Sequence, residues 1–147
     1  MKLSTKARYA VSAIIDLAQH QNGAVSLKDI SQRQEISLAY LEQLFCKLKN
    51  SGVVSSQRGP GGGYILSKET KKISLYEIVV AVEENMDQTQ CGGSMNCTKD
   101  KPCTTHHVWT GLNQIIDNYM KNITINDVLT DCITQKLHDS RGKNYVS

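Results

Sequence analysis

Apolar residues recur at Ala7, Ala10, Val11, Ile14, Leu17 and Ala18, the i, i+3, i+4, i+7 spacing that turns one side of an α-helix toward a core. Ser4 or Thr5 can cap that helix, and Asn22-Gly23 stops it after about His20. A shorter helix is predicted around Leu27 to Gln34, capped by Ser26, with Leu27 and Ile30 inward. Beyond the brief turn Glu35-Ile36-Ser37, Ser37 caps a third helix from Leu38 to about Asn50, closed by Gly52. Its inward positions are Leu38, Leu41, Leu44, Phe45 and Leu48. The pattern then shifts to two short strands, Val53 to Gln57 and Gly63 to Leu66, around the tip Arg58-Gly59-Pro60-Gly61-Gly62.

Two short helices joined by a tight turn after a longer one form a helix-turn-helix, and the following hairpin makes it winged. The third helix is then the recognition helix. Its outer face carries Ala39, Tyr40, Glu42, Gln43, Cys46 and Lys47, and lacks long apolar side chains. Gln43 can offer paired hydrogen bonds to an adenine edge, and Glu42 can accept from a cytosine amino group while phosphates repel it. At the hairpin tip, Gly59 and its neighbouring glycines allow close backbone approach, and Arg58 is placed to enter a narrow minor groove. A phosphate-binding loop is the rival reading, but no Gly-Lys-Ser/Thr follows and no helix begins there.

In the second half, Ser74-Leu75-Tyr76-Glu77 reads as a capping box opening a helix to about Glu84, with Leu75, Ile78, Val79 and Val82 inward. His107 or Val108 opens a long helix reaching about Asn122. Trp109, Leu112, Ile116, Tyr119 and Ile123 recur at steps of three and four, a heptad seam that Ile115 and Met120 broaden. Such a wide stripe predicts a homodimer, with burial against the chain's own winged domain as the other possibility. Thr124 can cap a last short helix through Leu129. The fold expected is mainly α with a small β wing: a winged helix-turn-helix plus a long dimerisation helix. Residues 1–66 form the DNA-binding domain. Residues 67–130 hold the dimerisation helices and a cofactor loop (88–107), and 131–147 a polar, flexible tail.

Charge sharpens this division. Up to Leu66, eight basic residues face four acidic ones, whereas nine face ten from Ser67 onward. A basic half joined to a near-neutral half suits a nucleic-acid binder with a separate second function. At 147 residues and 39% hydrophobic content, the chain suffices for one small domain with an appended element. No apolar run is long enough for a transmembrane helix. The apolar stretch Tyr9 to Ile15 that follows the basic start is interrupted by Ser12, ended by Asp16 and helically periodic, so it reads as mature structure and the chain as cytoplasmic. In that compartment the five cysteines predict a metal site over a disulfide framework.

Three of those cysteines, Cys91, Cys97 and Cys103, precede His106 in the order Cys-x5-Cys-x5-Cys-x2-His. The surrounding residues are Gly, Ser, Asn, Thr, Lys, Asp and Pro, with Met95 the one large apolar side chain, so something other than a hydrophobic core must hold the segment, and a bound metal or cluster would do so. Three thiolates and an imidazole suit either structural zinc or an iron–sulfur cluster, and the spacing alone leaves both open. Cys46 and Cys132 stand outside this spacing and read as structural or incidental thiols.

From Leu3 to Leu66 the chain resembles the IscR-type members of a winged-helix family of iron–sulfur and nitric-oxide-sensing transcription regulators. The residues carrying the likeness are Ser4, Lys6, Arg8-Tyr9-Ala10-Val11, Asp29-Ile30-Ser31, Ile36-Ser37, Tyr40-Leu41-Glu42-Gln43-Leu44-Phe45 and Arg58-Gly59-Pro60-Gly61-Gly62-Gly63-Tyr64. Ala39 departs from it, standing where the family can carry serine. The resemblance implies a [2Fe-2S] cluster on Cys91, Cys97, Cys103 and His106, and DNA contacts through Tyr40, Glu42, Gln43, Arg58 and Gly59. It further implies a homodimer on a double-stranded operator, repression of cluster-assembly genes when the cluster is present, and a second class of sites without it. The cluster-assembly machinery would be the donor. Glu42 would discriminate between the two site classes. Nitric-oxide-sensing relatives share three cysteines but lack the histidine motif. The alternatives are a zinc-stapled winged-helix DNA-binding protein without cluster sensing and a nitric-oxide-sensing relative. Neither a nucleotide fingerprint nor a substrate-site constellation points to an enzyme or an electron carrier.

Overall fold

The computed structural model describes residues 3–83, 104–131 and 133. Its elements run α1 (Thr5–Gln19), α2 (Leu27–Gln34), α3 (Leu38–Asn50), β1 (Val54–Gln57), β2 (Gly63–Leu66), a 3-10 turn at Thr70–Lys72, α4 (Leu75–Val82), α5 (His106–Asn122) and α6 (Ile125–Leu129). The strands pair antiparallel, from Val54 opposite Leu66 to Gln57 opposite Gly63. The expected winged helix-turn-helix is therefore present.

Side-chain caps set five of the helix starts. Ser4, Ser26, Ser37 and Ser74 accept from the backbone N–H of Ala7, Asp29, Tyr40 and Glu77 at 3.1–3.3 Å. Each satisfies a helix-end donor that would otherwise lack a partner. The predicted box at Ser74 is only half made, because the Glu77 carboxylate accepts from Lys68 Nζ at 3.1 Å instead. The reciprocal box forms at Thr124, whose N–H donates to Asp127 Oδ2 at 2.9 Å while its hydroxyl accepts from Asp127 N.

One core joins Ala10, Ile14 and Leu17 of α1 to Ile30, Leu41, Phe45 and Leu48, and onward to Ile78, Val82 and Ile125. It thus draws on residues from both sides of Leu66. A smaller cluster of Ala7, Val79 and Met120 binds α5 to α1 and α4. The segments leading into α4 and α6 are clipped together, with Leu75 N donating to Ile123 O at 2.8 Å and Ile125 N to Ile73 O at 3.0 Å. Leu38, expected inward, is 41% exposed. It is the first residue of α3, one turn before the buried Leu41, and there the helix has already emerged from the core.

The turn between α2 and α3 places Glu35 in the left-handed region at φ 54°, which costs a side chain about 1 kcal/mol or more. Ser31 offsets that cost. Its carbonyl accepts from Ile36 N at 3.3 Å, and its hydroxyl donates to Ile36 O at 2.6 Å.

Asp16 faces inward from α1 and is 1% exposed. Its carboxylate accepts from Arg33 Nε at 3.0 and 3.2 Å, Arg33 Nη2 at 2.7 Å and Gln34 Nε2 at 2.9 Å, tying α1 to the end of α2. His20 Nδ1 lies 3.6 Å from the same carboxylate. Burial pushes the carboxyl up, but hydrogen bonds from Arg33 and Gln34, with the charges of Arg33 and His20, outweigh it and hold it below the ordinary value. A depressed carboxylate contributes stability above its unfolded value, about pH 4, and loses it as pH falls through the folded one. Asp16→Asn is expected to destabilise the fold by about 2–3 kcal/mol near neutrality. Thermal melts of both chains against pH should converge below about pH 4, and a gap that ignores pH would refute the role.

Candidate nucleic-acid interface and cysteine segment

The outer side of α3 presents Ala39, Glu42, Gln43 and Cys46 to solvent, as the sequence pattern predicts. Tyr40 differs from them. It is half-buried at the rim of the core, and its ring meets that of Tyr9 edge to face with centroids 5.7 Å apart. Arg58 and Gly59 are exposed at the hairpin tip, where Gly59 has φ 99° and Gly62 N donates to Gly59 O at 2.9 Å. No described residue lies within hydrogen-bonding distance of the Arg58 guanidinium, and Glu42 and Gln43 likewise have no such partner there. All three are available to a ligand.

What holds this surface in shape was not legible from motif spacing. Val25 and Tyr64 exchange backbone hydrogen bonds of 2.9 and 2.8 Å, fastening the wing to the residue before the α2 cap. Tyr64 also packs edge to face on Phe45 of α3, with centroids 4.9 Å apart. Wing, α2 and recognition helix are therefore one rigid unit. Gly63 makes the bridge possible: a Cβ there would run into the Val25 carbonyl and lie 2.8 Å from Ser26 N. At Gly62 a Cβ would meet the carbonyls of Gln57 and Gly59 at 2.5 and 2.7 Å. The glycine run serves packing inside the wing as much as access to a ligand.

Of the predicted cysteine-segment ligands, His106 is described, while Cys91, Cys97 and Cys103 lie outside the described residues. His106 is the first residue of α5, one position earlier than the pattern suggested, and is 6% exposed. Neighbouring His107 is exposed, with its ring 5.9 Å from that of His106. The two histidines thus differ in burial. Three thiolates and this imidazole match the donor chemistry of an iron–sulfur cluster, and of zinc as well.

The apolar stripe of α5 divides in two. Met120 is buried on Ala7 and Val79, Ile116 packs beside it, and Ile123 lies beyond the helix end, buried in the chain's own core. Ile123 therefore belongs to the internal clip and not to an outward seam. Val108, Trp109, Ile115 and Tyr119 remain exposed, Ile115 at 55%, and Leu112 is partly covered. The Trp109 indole donates to Thr105 Oγ1 at 3.1 Å, which fixes its ring against the helix start.

A three-helix core, a glycine-tipped hairpin and an exposed polar face on the third helix define a winged-helix DNA-binding regulator. A family model described as an iron-dependent transcriptional regulator, Rrf2, matches residues 3–131, and the chain belongs to that family. The HTH-type transcriptional regulator IscR of Yersinia pestis is 46% identical over 132 residues, covering 89% of this chain and 80% of that protein. The solved structure of T. potens IscR superposes with a TM-score of 0.75 at 40% identity, covering 90% of this chain and 88% of that one. CymR, the global cysteine regulator of B. subtilis, gives a TM-score of 0.75 at 31% identity, with 88% and 97% covered. The family and these relatives are regulators of transcription, not enzymes, and DNA is the partner they imply. Among the described residues no helix is long and apolar enough to cross a membrane.

Gly63→Ala is expected to break the Val25–Tyr64 bridge, cost about 2–4 kcal/mol and weaken DNA binding through a displaced wing. Chemical denaturation and DNA titration of the variant check this; wild-type values in both would show that the bridge does not position the wing.

Proposed function

We propose that this protein is a cluster-sensing transcription regulator that holds a [2Fe-2S] cluster through Cys91, Cys97, Cys103 and His106. With the cluster it represses cluster-assembly genes, and without it the protein binds a second class of DNA sites. The observation carrying this reading is the position of His106, a buried imidazole that opens α5 directly after the cysteine segment. The same helix ends on Ala7 of α1 and Val79 of α4, so any change at its start reaches the helices beneath the winged unit. Bound iron and sulfide would crosslink the segment to the head of α5 and make that link depend on iron supply and oxidants.

The DNA surface in this reading is Tyr40, Glu42 and Gln43 in the major groove, with Arg58 and Gly59 at the minor groove. A carboxylate on the reading face penalises every base that cannot donate to it, which makes Glu42 the discriminator between site classes. The exposed stripe of Val108, Trp109, Ile115 and Tyr119, flanked by Leu112 and Ile116, is the face for a second copy. Two copies would present two wings to half-sites about one turn of DNA apart. The cluster-assembly machinery is the donor in this scheme, and the cytoplasm the compartment.

Purification without oxygen, with iron, sulfide and zinc analysis, visible absorption and light scattering, tests the reading. The expected sample has two irons and two sulfides per chain, bands between roughly 400 and 600 nm, and the mass of two chains. A colourless protein with one zinc, unchanged by cluster reconstitution, would instead mark a zinc-stapled regulator. For the discriminator, Glu42→Ala is expected to narrow the affinity difference between the two site classes by about tenfold. Equal selectivity in mutant and parent would remove Glu42 from that role.

A further inference from the structure

Tyr9 stands in the second turn of α1, 39% exposed, and packs in neither core cluster. Its ring contact is with Tyr40, edge to face at an interplanar angle of 89°. Tyr40 rests its ring on the core rim and sits in the first turn of α3, next to the exposed Ser37 and Ala39. Neither phenol hydroxyl hydrogen-bonds to another described residue. Exposed Lys6 and Arg8 flank Tyr9 along α1, so the pair lies in the basic part of the surface beside the reading face.

An edge-to-face pair is favourable beyond the area it covers. Here it joins a ring outside both core clusters to one on the core rim. It restricts the ring of a residue at the start of the recognition helix, and a restricted side chain loses less freedom on meeting a ligand. Tyrosine hydroxyls commonly contact DNA phosphates, and such contacts fix register without reading bases.

We propose that Tyr9 is a positioning residue for DNA binding: its ring fixes Tyr40, whose hydroxyl donates to a backbone phosphate at the rim of the major groove. The contact sets affinity and leaves sequence choice unchanged. The proposal rests on α3 entering the major groove, and the experiment separates the two.

The probe is a duplex selected by the parent chain from a random-sequence pool, with a shuffled duplex of equal composition beside it, titrated by fluorescence anisotropy at fixed salt. Tyr40→Phe weakens binding to both duplexes by about tenfold, the scale of one hydrogen bond to a charged group. Tyr9→Ala does the same, whereas Tyr9→Phe, which keeps the ring, binds as the parent does. In the Tyr40→Phe chain, adding Tyr9→Ala costs nothing further, because both changes remove one interaction. Parent-like binding by Tyr40→Phe, or full additivity of the two changes, overturns the proposal. So does an affinity loss in Tyr9→Ala that merely follows a fall in melting temperature. Gln43→Ala on the same duplexes addresses the underlying reading: a collapse of the selected-to-shuffled ratio supports it. An unmoved ratio takes α3 out of the groove, whatever Tyr9 does.

Discussion

Everything in this molecule leans on the close-packed face of α1. Ala7, Ala10, Ala13, Ile14 and Leu17 are essentially excluded from solvent, and α2, α3, α4, α6 and β2 all pack against that helix. Three alanines keep part of the face shallow, so neighbouring elements approach closely, and any larger side chain would force them apart. At its carboxyl end the same face turns polar, and Asp16 replaces packing with directional hydrogen bonds to Arg33 and Gln34. Apolar contact is tolerant of small rotations, whereas a bidentate guanidinium–carboxylate pair is not. The orientation of α2, and through its short turn that of α3, is thereby specified and not merely allowed.

The reading surface is built by the same economy of means. A backbone bridge at Val25, one ring contact between Phe45 and Tyr64, and glycines without room for a Cβ lock the wing to the recognition helix. Exposed side chains on that platform, Glu42, Gln43 and Arg58, are then free of structural duty. In the function proposed above, this separation of scaffold from reader would let base preference change by surface substitution alone.

Much of the fold was legible because its signals are local. Serines at helix starts, period-3.6 apolar spacing and a glycine-dense hairpin each act within a few residues, and all of them reappear in three dimensions. The misses share a different character. Leu38 follows the helical period but lies past the end of its packing partners, which periodicity cannot register. Glu77 has the spacing of a reciprocal cap, yet Lys68, distant by nine positions, competes for its carboxylate. Ile123 continues the heptad pattern, but the helix ends one residue earlier and the backbone turns into a clip with Ser74. Asp16 gave a usable hint, since a carboxylate three positions from Ala13 falls on the buried side, but its partner lies 17 residues away. Of the candidate site, residue types were visible in the sequence, whereas the Tyr9–Tyr40 and Val25–Tyr64 contacts depend on chain elements meeting in space.

The clip that joins the approaches to α4 and α6 also has a bearing on how regulators of this build diversify. Together with the seating of Met120, it anchors the chain firmly on both sides of the cysteine segment. A segment whose ends are already fixed can change length at little thermodynamic expense, roughly 0.6 kcal/mol for each doubling. The same scaffold can thus accept inserts of unrelated chemistry, and its likeness to T. potens IscR and to CymR, a cysteine regulator, at one TM-score of 0.75 and at 40% and 31% identity, fits a frame that is kept while the segment it carries changes.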